Sequence, residues 1–159
     1  MIVLVMGVSG SGKNTIGEPV AQRLGCKFID GDDYHPPENV KKMAAGTPLQ
    51  DEDRWPWLDL LNRMLRNEKD AVVACSALKE AYRQRLLAGI ADSAIVYLRG
   101  SFELIRGRVA ARQHRYMPAS LLRSQFDTLE PPARAIEVDV ALEPDANVTK
   151  IVEALRDRS

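Results

Sequence analysis

The sequence predicts a doubly wound α/β fold: a five-stranded parallel sheet with helices on both faces. Three observations carry that prediction. The apolar runs are short and continuous, as in strands buried on both faces. Stretches with helical spacing of apolar residues lie between them. A glycine-rich loop, Gly7 to Gly12, joins the first apolar run to the first helical stretch.

The first strand is residues 2–6, an apolar run that begins beside Met1 with no basic stretch ahead of it. It is too short for a signal peptide or a membrane span. Residues 12–24 read as a helix, 27–29 as the second strand, and 38–45 and 55–67 as two further helices. The third strand is 71–75, followed by a helix at 77–88 and the fourth strand at 94–98. Helices at 102–112 and 119–129, a fifth strand at 135–140 and a last helix at 146–156 complete the order. Pro19 falls in the second turn of the first helix, where it removes a hydrogen bond to the Thr15 carbonyl at about 3 kcal/mol. That predicts either a kink or a marginally stable chain. Pro36-Pro37 and Pro131-Pro132 mark short loops. No repeat, low-complexity segment or linker divides the chain, so one domain spanning 1–159 is expected.

Composition excludes several classes. Lys and Arg total 22 and Asp and Glu total 22, so the chain is formally neutral. Affinity for a nucleic-acid backbone comes from net neutralisation by cations, so no nucleic-acid partner is expected. At 45% hydrophobic and 28% charged residues, the chain is an ordinary globular one and not a disordered one. Cys26 and Cys75 lie far apart in apolar stretches and read as reduced thiols; with two His in the chain, a zinc site is not expected. The cytoplasm is the expected compartment, with no membrane association.

In a doubly wound sheet, ligands collect beyond the carboxyl ends of the strands. The residues to inspect therefore begin at Gly7, Asp30, Ser76, Arg99 and Ala141. The first of these segments, Gly7-Val8-Ser9-Gly10-Ser11-Gly12-Lys13-Asn14-Thr15, has the G-x-x-x-x-G-K spacing of a phosphate-binding loop. Glycines let successive backbone N–H groups turn toward one phosphate at the positive end of the following helix. Lys13 then reaches the β- and γ-phosphates. Asn14 stands where the motif has Ser or Thr, whose hydroxyl coordinates Mg²⁺. An Asn amide oxygen is a hard ligand too, but it lies one bond farther out, and Thr15 is rotated about 100° around the helix. Nucleotide binding through the backbone and Lys13 is therefore expected to survive, with weaker placement of the metal.

Beyond this loop, several blocks resemble the bacterial gluconokinases, small P-loop kinases related in fold to shikimate and nucleoside monophosphate kinases. They are Asp30-Gly31-Asp32 with His35-Pro36, Asn39, Lys42 and Met43; Asp53-Arg54 with Pro56-Trp57-Leu58; Cys75-Ser76-Ala77-Leu78-Lys79 with Tyr82-Arg83; and Gln125-Phe126 with Thr128-Leu129-Glu130. The resemblance covers almost the whole chain. It implies transfer of the γ-phosphate of ATP to the 6-hydroxyl of D-gluconate, giving 6-phospho-D-gluconate and ADP, with Mg²⁺ as cofactor. Enzymes of this kind dimerise, so a homodimer is the assembly it implies.

Phosphoryl transfer needs alignment and charge neutralisation more than covalent chemistry. Asp30 and Asp32 follow the second strand at the crevice edge, and similarity to related kinases makes Asp32 the candidate base and Asp30 the candidate water-mediated Mg²⁺ partner; Asn14, at the loop's hydroxyl position, is the other metal candidate. Asp30-Gly31 also suits a turn, and Asp33 reads as solvated. The third strand ends in Cys75-Ser76 without an Asp, so the acid must come from elsewhere. A sugar acid calls for cations, because Arg grips a carboxylate through paired hydrogen bonds. Arg54, Lys79 and Arg83 are the candidates, the last two at i, i+4 on a helix expected to begin at Ser76, whose first amides would add an anion site. His35, Asn39 and Lys42 are candidates for reading hydroxyls, while Trp55 and Trp57 read as packing residues.

The resemblance implies a mobile lid over residues 106–117, whose Arg108 and Arg112 close on the nucleotide phosphates and exclude water. Gln113-His114-Arg115-Tyr116 departs from the usual Lys-Gly-His-Phe/Tyr, and Pro132 and Ala141 also depart from common family residues. Two other readings stay open. One is a P-loop kinase of another small acid, such as shikimate. The other is a nucleotide-binding module without phosphotransfer, motivated by Asn14, Pro19 and the altered lid.

Overall fold

A computed structural model describes residues 1–111 and 119–158 of the chain. Arg112 and the second half of the expected lid segment, residues 112–117, lie outside the described residues. Strand β1 is Ile2–Met6, followed by helix α1, Lys13–Leu24, and strand β2, Lys27–Asp30. A 3₁₀ turn, Gly31–Tyr34, leads to α2, Pro37–Ala44, and α3, Asp51–Arg66. Then come β3, Ala71–Ala74, α4, Glu80–Leu86, and β4, Ser93–Arg99. The chain continues through α5, Phe102–Ala111, α6, Ala119–Thr128, β5, Ile136–Asp139, and α7, Pro144–Arg156. The expected succession of strands and helices is the one observed.

All pairings in the sheet are parallel, and the strand order is β2-β3-β1-β4-β5. From β1 the chain crosses to β2 on one side; from β3 it crosses past β1 to β4 on the other. Right-handed crossovers in opposite directions place α1 and α4 on opposite faces of the sheet. The reversal occurs around β1, so the crevice beyond its carboxyl end is where the loops converge.

Burial follows position in the sheet. Every residue of β1 and β3 is buried, as central strands covered on both faces require, whereas the edge strand β5 alternates. On α7, Val148, Ile151, Val152 and Leu155 recur at helical spacing and are all buried, each contributing about 1.5–3 kcal/mol by transfer from water. Ile16 and Val20 of α1 do the same, and α1 packs beside α7. Trp57, Leu58, Leu61 and Leu65 line the inner stripe of α3, which packs on α4. Helix α1 runs through Pro19 to Leu24 without interruption.

Two elements differ from the sequence-based expectation in ways that matter for the site. Helix α3 begins at Asp51, a turn before the expected start, so Pro56 lies in its second turn and not its first. The Asp53 carboxylate accepts a hydrogen bond from the Gln50 N–H at 2.8 Å, which secures this earlier start. Helix α4 begins at Glu80 and not near Ser76. The chain from 76 to 79 is an irregular loop, with Ala77 at φ 44° and Lys79 extended. Among the described residues no helix is long and apolar enough to cross a membrane, and both cysteines are free.

Candidate active site

The phosphate loop fills the turn from β1 to α1. Gly10 and Gly12 adopt φ of 83° and 95°, left-handed conformations that a side chain resists. Val109 of α5 packs so closely over Gly10 that a β-carbon there would lie 2.4 Å from it. Lys13 folds back on the loop, donating from Nζ to the Gly7 carbonyl at 3.1 Å and the Val8 carbonyl at 3.0 Å. Burial lowers the Lys13 pKa, while Asp32, Cys75 and Asp30 pull the other way. Val8 and Ser11 of the loop are buried, and Ser11 Oγ is the one buried side-chain polar atom without a partner among the described residues. Thr15 points to solvent from α1.

Asp30 closes β2 and caps the 3₁₀ turn that follows. Its Oδ1 accepts from the Asp32 N–H at 3.0 Å, and its Oδ2 accepts from Asn14 Nδ2 at 2.7 Å. The phosphate loop and the Asp30-Gly31-Asp32 segment are thereby tied together. Trp57 pins the same turn from α3, donating Nε1–H to the Gly31 carbonyl at 2.8 Å. Gly31 has no room for a side chain, since a β-carbon would lie 2.6 Å from the Ala74 carbonyl oxygen. Cys75, just after β3, is fully buried, and burial pushes its thiol pKa to about 12, so it stays protonated and inert.

His35 stacks on Trp57, with ring centroids 3.9 Å apart and planes 19° apart. Its Nδ1 faces Asn39 Nδ2 at 3.2 Å, and that amide also donates to the Asp53 carbonyl at 2.9 Å. Because the amide nitrogen is a donor, Nδ1 accepts and the proton sits on Nε2. Nε2 lies 3.7 Å from Asp32 Oδ1. Desolvation lowers the His35 pKa, Asp32 opposes this, and Arg54 adds to the lowering.

One pocket brings Ser9, Lys13, Asp32, His35, Arg54 and Gln125 together, with Met43, Leu49 and Trp57 as apolar walls. Arg54 donates to the Leu49 carbonyl at 2.7 Å and to Tyr82 Oη at 3.0 Å, with its guanidinium 4.9 Å from the centre of the Tyr82 ring. Tyr82 donates in turn to the Asp51 carboxylate, and burial together with that acceptor raises its pKa to about 12.

The other expected residues have different places. Asn39 is buried, supporting His35 from below. Lys42 is paired with Asp53 at 2.8 Å and Lys79 with Asp51 at 3.7 Å, both outside the pocket's lining. Arg83 corrects an expectation: it is 2% exposed, and its guanidinium donates to the Ala77 and Glu130 carbonyls, both at 2.8 Å, and to the Glu80 carboxylate. Arg83 holds the wall of the site and does not face a ligand. The expected anion site at Ser76 is likewise corrected, because no helix starts there. Arg108 lies near the end of α5, next to the Val109 that packs on Gly10.

Gln125 belongs to the pocket although no site role was expected for it. It exchanges two hydrogen bonds with Ser9: the Ser9 N–H donates to Gln125 Oε1 at 2.7 Å, and Gln125 Nε2 donates to Ser9 Oγ at 2.9 Å. Its appearance in the Gln125-to-Glu130 block was the available signal.

A divalent metal ion suits this donor set. Asp30 and Asp32 present hard carboxylate oxygens beside the phosphate loop. No group of three or more His, Cys, Asp or Glu side chains able to hold a metal exists among the described residues. Two carboxylates beside a phosphate loop fit an ion of the Mg²⁺ type, which takes one or two carboxylates and completes its shell with phosphates and water.

The chain is similar to known kinases along nearly its whole length. The shikimate kinase family profile matches residues 9–156. The thermosensitive gluconokinase of Escherichia coli K12 is 41% identical, over 96% of this chain and 84% of that protein. A gluconokinase of Gluconobacter oxydans is 41% identical, over 94% of this chain and 88% of that one. The crystal structure of a gluconokinase from Sinorhizobium meliloti superposes with a TM-score of 0.88 at 42% identity, covering 99% of this chain and 96% of that chain. By that profile and these near-full-length relatives, the chain belongs to the shikimate kinase family and, within such kinases, to the gluconokinases.

Proposed function

We propose that this chain is an ATP-dependent kinase that phosphorylates the 6-hydroxyl of D-gluconate, releasing 6-phospho-D-gluconate and ADP. The observation that carries the reading is the single pocket that joins the phosphate-loop residues Ser9 and Lys13 to Asp32, His35 and Arg54. In the reaction a bond forms between the sugar-acid O6 and the γ-phosphorus, the bond from that phosphorus to the β,γ-bridging oxygen breaks, and the hydroxyl proton passes to Asp32. Lys13 leaves the Gly7 and Val8 carbonyls to neutralise the transferred phosphoryl group. Arg54, braced by Leu49 and Tyr82, faces the substrate carboxylate, and His35 stands beside the reacting hydroxyl. Arg108 and Arg112 cover the nucleotide phosphates, and Lys42, Lys79 and Asn39 support the acceptor side. Asp30, with the Asn14 amide oxygen, would hold Mg²⁺, which when bound neutralises phosphate oxygens. The free cysteines suit a reducing cytoplasm, and a homodimer is the assembly this reading includes, to be measured by light scattering.

The relatives favour gluconate over shikimate as acceptor, since they are gluconokinases at 41–42% identity. A coupled ADP-release assay with gluconate, shikimate and a nucleoside monophosphate tests the proposal. ADP release that depends on gluconate alone supports it. ATP binding without release on any acceptor overturns it in favour of a nucleotide-binding module.

A further inference from the structure

The segment from Gln125 to Glu130 grips both sides of the pocket. On the phosphate side, Gln125 exchanges its two hydrogen bonds with Ser9. On the acceptor side, the Glu130 N–H donates to the Leu78 carbonyl at 2.7 Å. The Glu130 carboxylate accepts from the Glu80 N–H at 2.9 Å, and its carbonyl accepts from Arg83 at 2.8 Å. Arg83 in turn holds the Ala77 carbonyl at 2.8 Å. The phosphate loop and the 76–79 loop follow different strands, β1 and β3, and this one segment holds both.

From this geometry we infer that Gln125 is a positioning residue for phosphoryl transfer, fixing the phosphate loop against an acceptor wall that Glu130 and Arg83 hold. The inference rests on the proposed kinase reading of the pocket. Its physical basis is that in-line transfer is sensitive to placement: an error near 1 Å between reacting groups lowers rate by about 100-fold. A loop with left-handed glycines at Gly10 and Gly12 is well shaped to wrap a phosphate. Glycine supplies no side chain to orient such a loop against the rest of the site. The Gln125 carboxamide does so by binding both the backbone and the hydroxyl of Ser9. It acts on the loop, so its loss should appear in turnover and not in substrate affinity.

The test is a cycle of Gln125→Ala, Ser9→Ala and the double variant in the full chain, with Gln125→Met preserving helix propensity and side-chain length. Steady-state constants for ATP and gluconate are measured along with thermal midpoints. Gln125→Ala and Gln125→Met should each lower kcat by about tenfold or more, with both KM values within about twofold of the parent. Ser9→Ala should give a smaller loss of the same kind, and adding it to Gln125→Ala should lower kcat no further. A raised gluconate KM with kcat preserved would make Gln125 a substrate ligand and overturn the inference. So would additive losses in the double variant, unchanged kcat, or a fall in kcat matched by a collapse of the thermal midpoint in both Gln125 variants. If the parent chain turns over gluconate while the variants equal it, only the inference fails. If the parent itself gives no gluconate-dependent ADP release, the kinase reading fails and takes the inference with it.

Discussion

Asn14 donates its side-chain amide to Asp30 Oδ2 at 2.7 Å, joining the first turn of α1 to the end of β2. The position that carries a hydroxyl in most phosphate-binding loops here carries a group whose nitrogen holds the carboxylate proposed to partner the metal. Replacing it with the short hydroxyl of serine releases Asp30 and restores the usual ligand. Asn14→Ser should therefore lower the Mg²⁺ concentration for half-maximal activity by about tenfold, the scale on which neighbours of a ligand tune metal affinity. A Mg²⁺ titration of initial rates checks this, and an unchanged midpoint would show that Asn14 does not govern the metal.

Asp32 is the carboxylate in the pocket closest to His35, and it is free of the Asn14 bond that occupies Asp30. Asp32→Ala should reduce kcat by about 10²–10⁴-fold, the range for loss of a general base. Nucleotide affinity, measured by calorimetry, should change little. A variant with near-parental turnover removes Asp32 from the mechanism.

The environment of His35 makes stability depend on pH. Burial, aided by Arg54 and opposed by Asp32, lowers its pKa below the ordinary 6.5. The unfolded chain then binds a proton more readily than the folded one, so this contribution is fully present above about pH 6.5 and is lost as pH falls through the folded value. Urea midpoints measured from pH 7.5 down to 5 should decline for the parent chain more steeply than for His35→Phe. Parallel slopes would contradict the assignment.

Arg83 predicts a stability defect distinct from a binding defect. Its removal leaves the Ala77 and Glu130 carbonyls without their donor inside the protein. Arg83→Ala should cost about 3 kcal/mol, and Arg83→Lys should not restore it, since an ammonium lacks the planar fork that reaches both carbonyls. Denaturant unfolding measures the loss. An intact midpoint with a raised gluconate KM would return Arg83 to the ligand site.

Much of the site is legible in the sequence. The glycine spacing, the strand before it and the helix after it are local, so Gly7 to Lys13 read directly as a phosphate loop. The Asp30-Gly31-Asp32 placement followed from the rule that ligands gather beyond strand ends, and the structure brings Asp32, His35 and Arg54 to one pocket with Lys13. Two elements start elsewhere than the pattern suggests, one for a tertiary reason and one for a local one. Lys79 and Arg83 match one helical face in sequence, but the loop from 76 to 79 is held irregular by bonds from Arg83 and Glu130, the latter on a segment beyond α6. Pro56 resembles a first-turn proline, yet the Asp53 cap starts the helix a turn earlier.

The sequence by itself determined the order of elements, the buried strands and the phosphate loop, because each depends on neighbours within a few residues along the chain. Tertiary structure decided which polar groups face the pocket and which serve the frame. Arg54 and Arg83 are equally cationic on paper, but one lines the pocket and the other is buried among carbonyls from two other segments. Gln125 meets Ser9 across 116 residues of chain. A hydrogen bond between such distant positions leaves no periodic trace in sequence, since only the folding of α6 against the β1–α1 turn creates it.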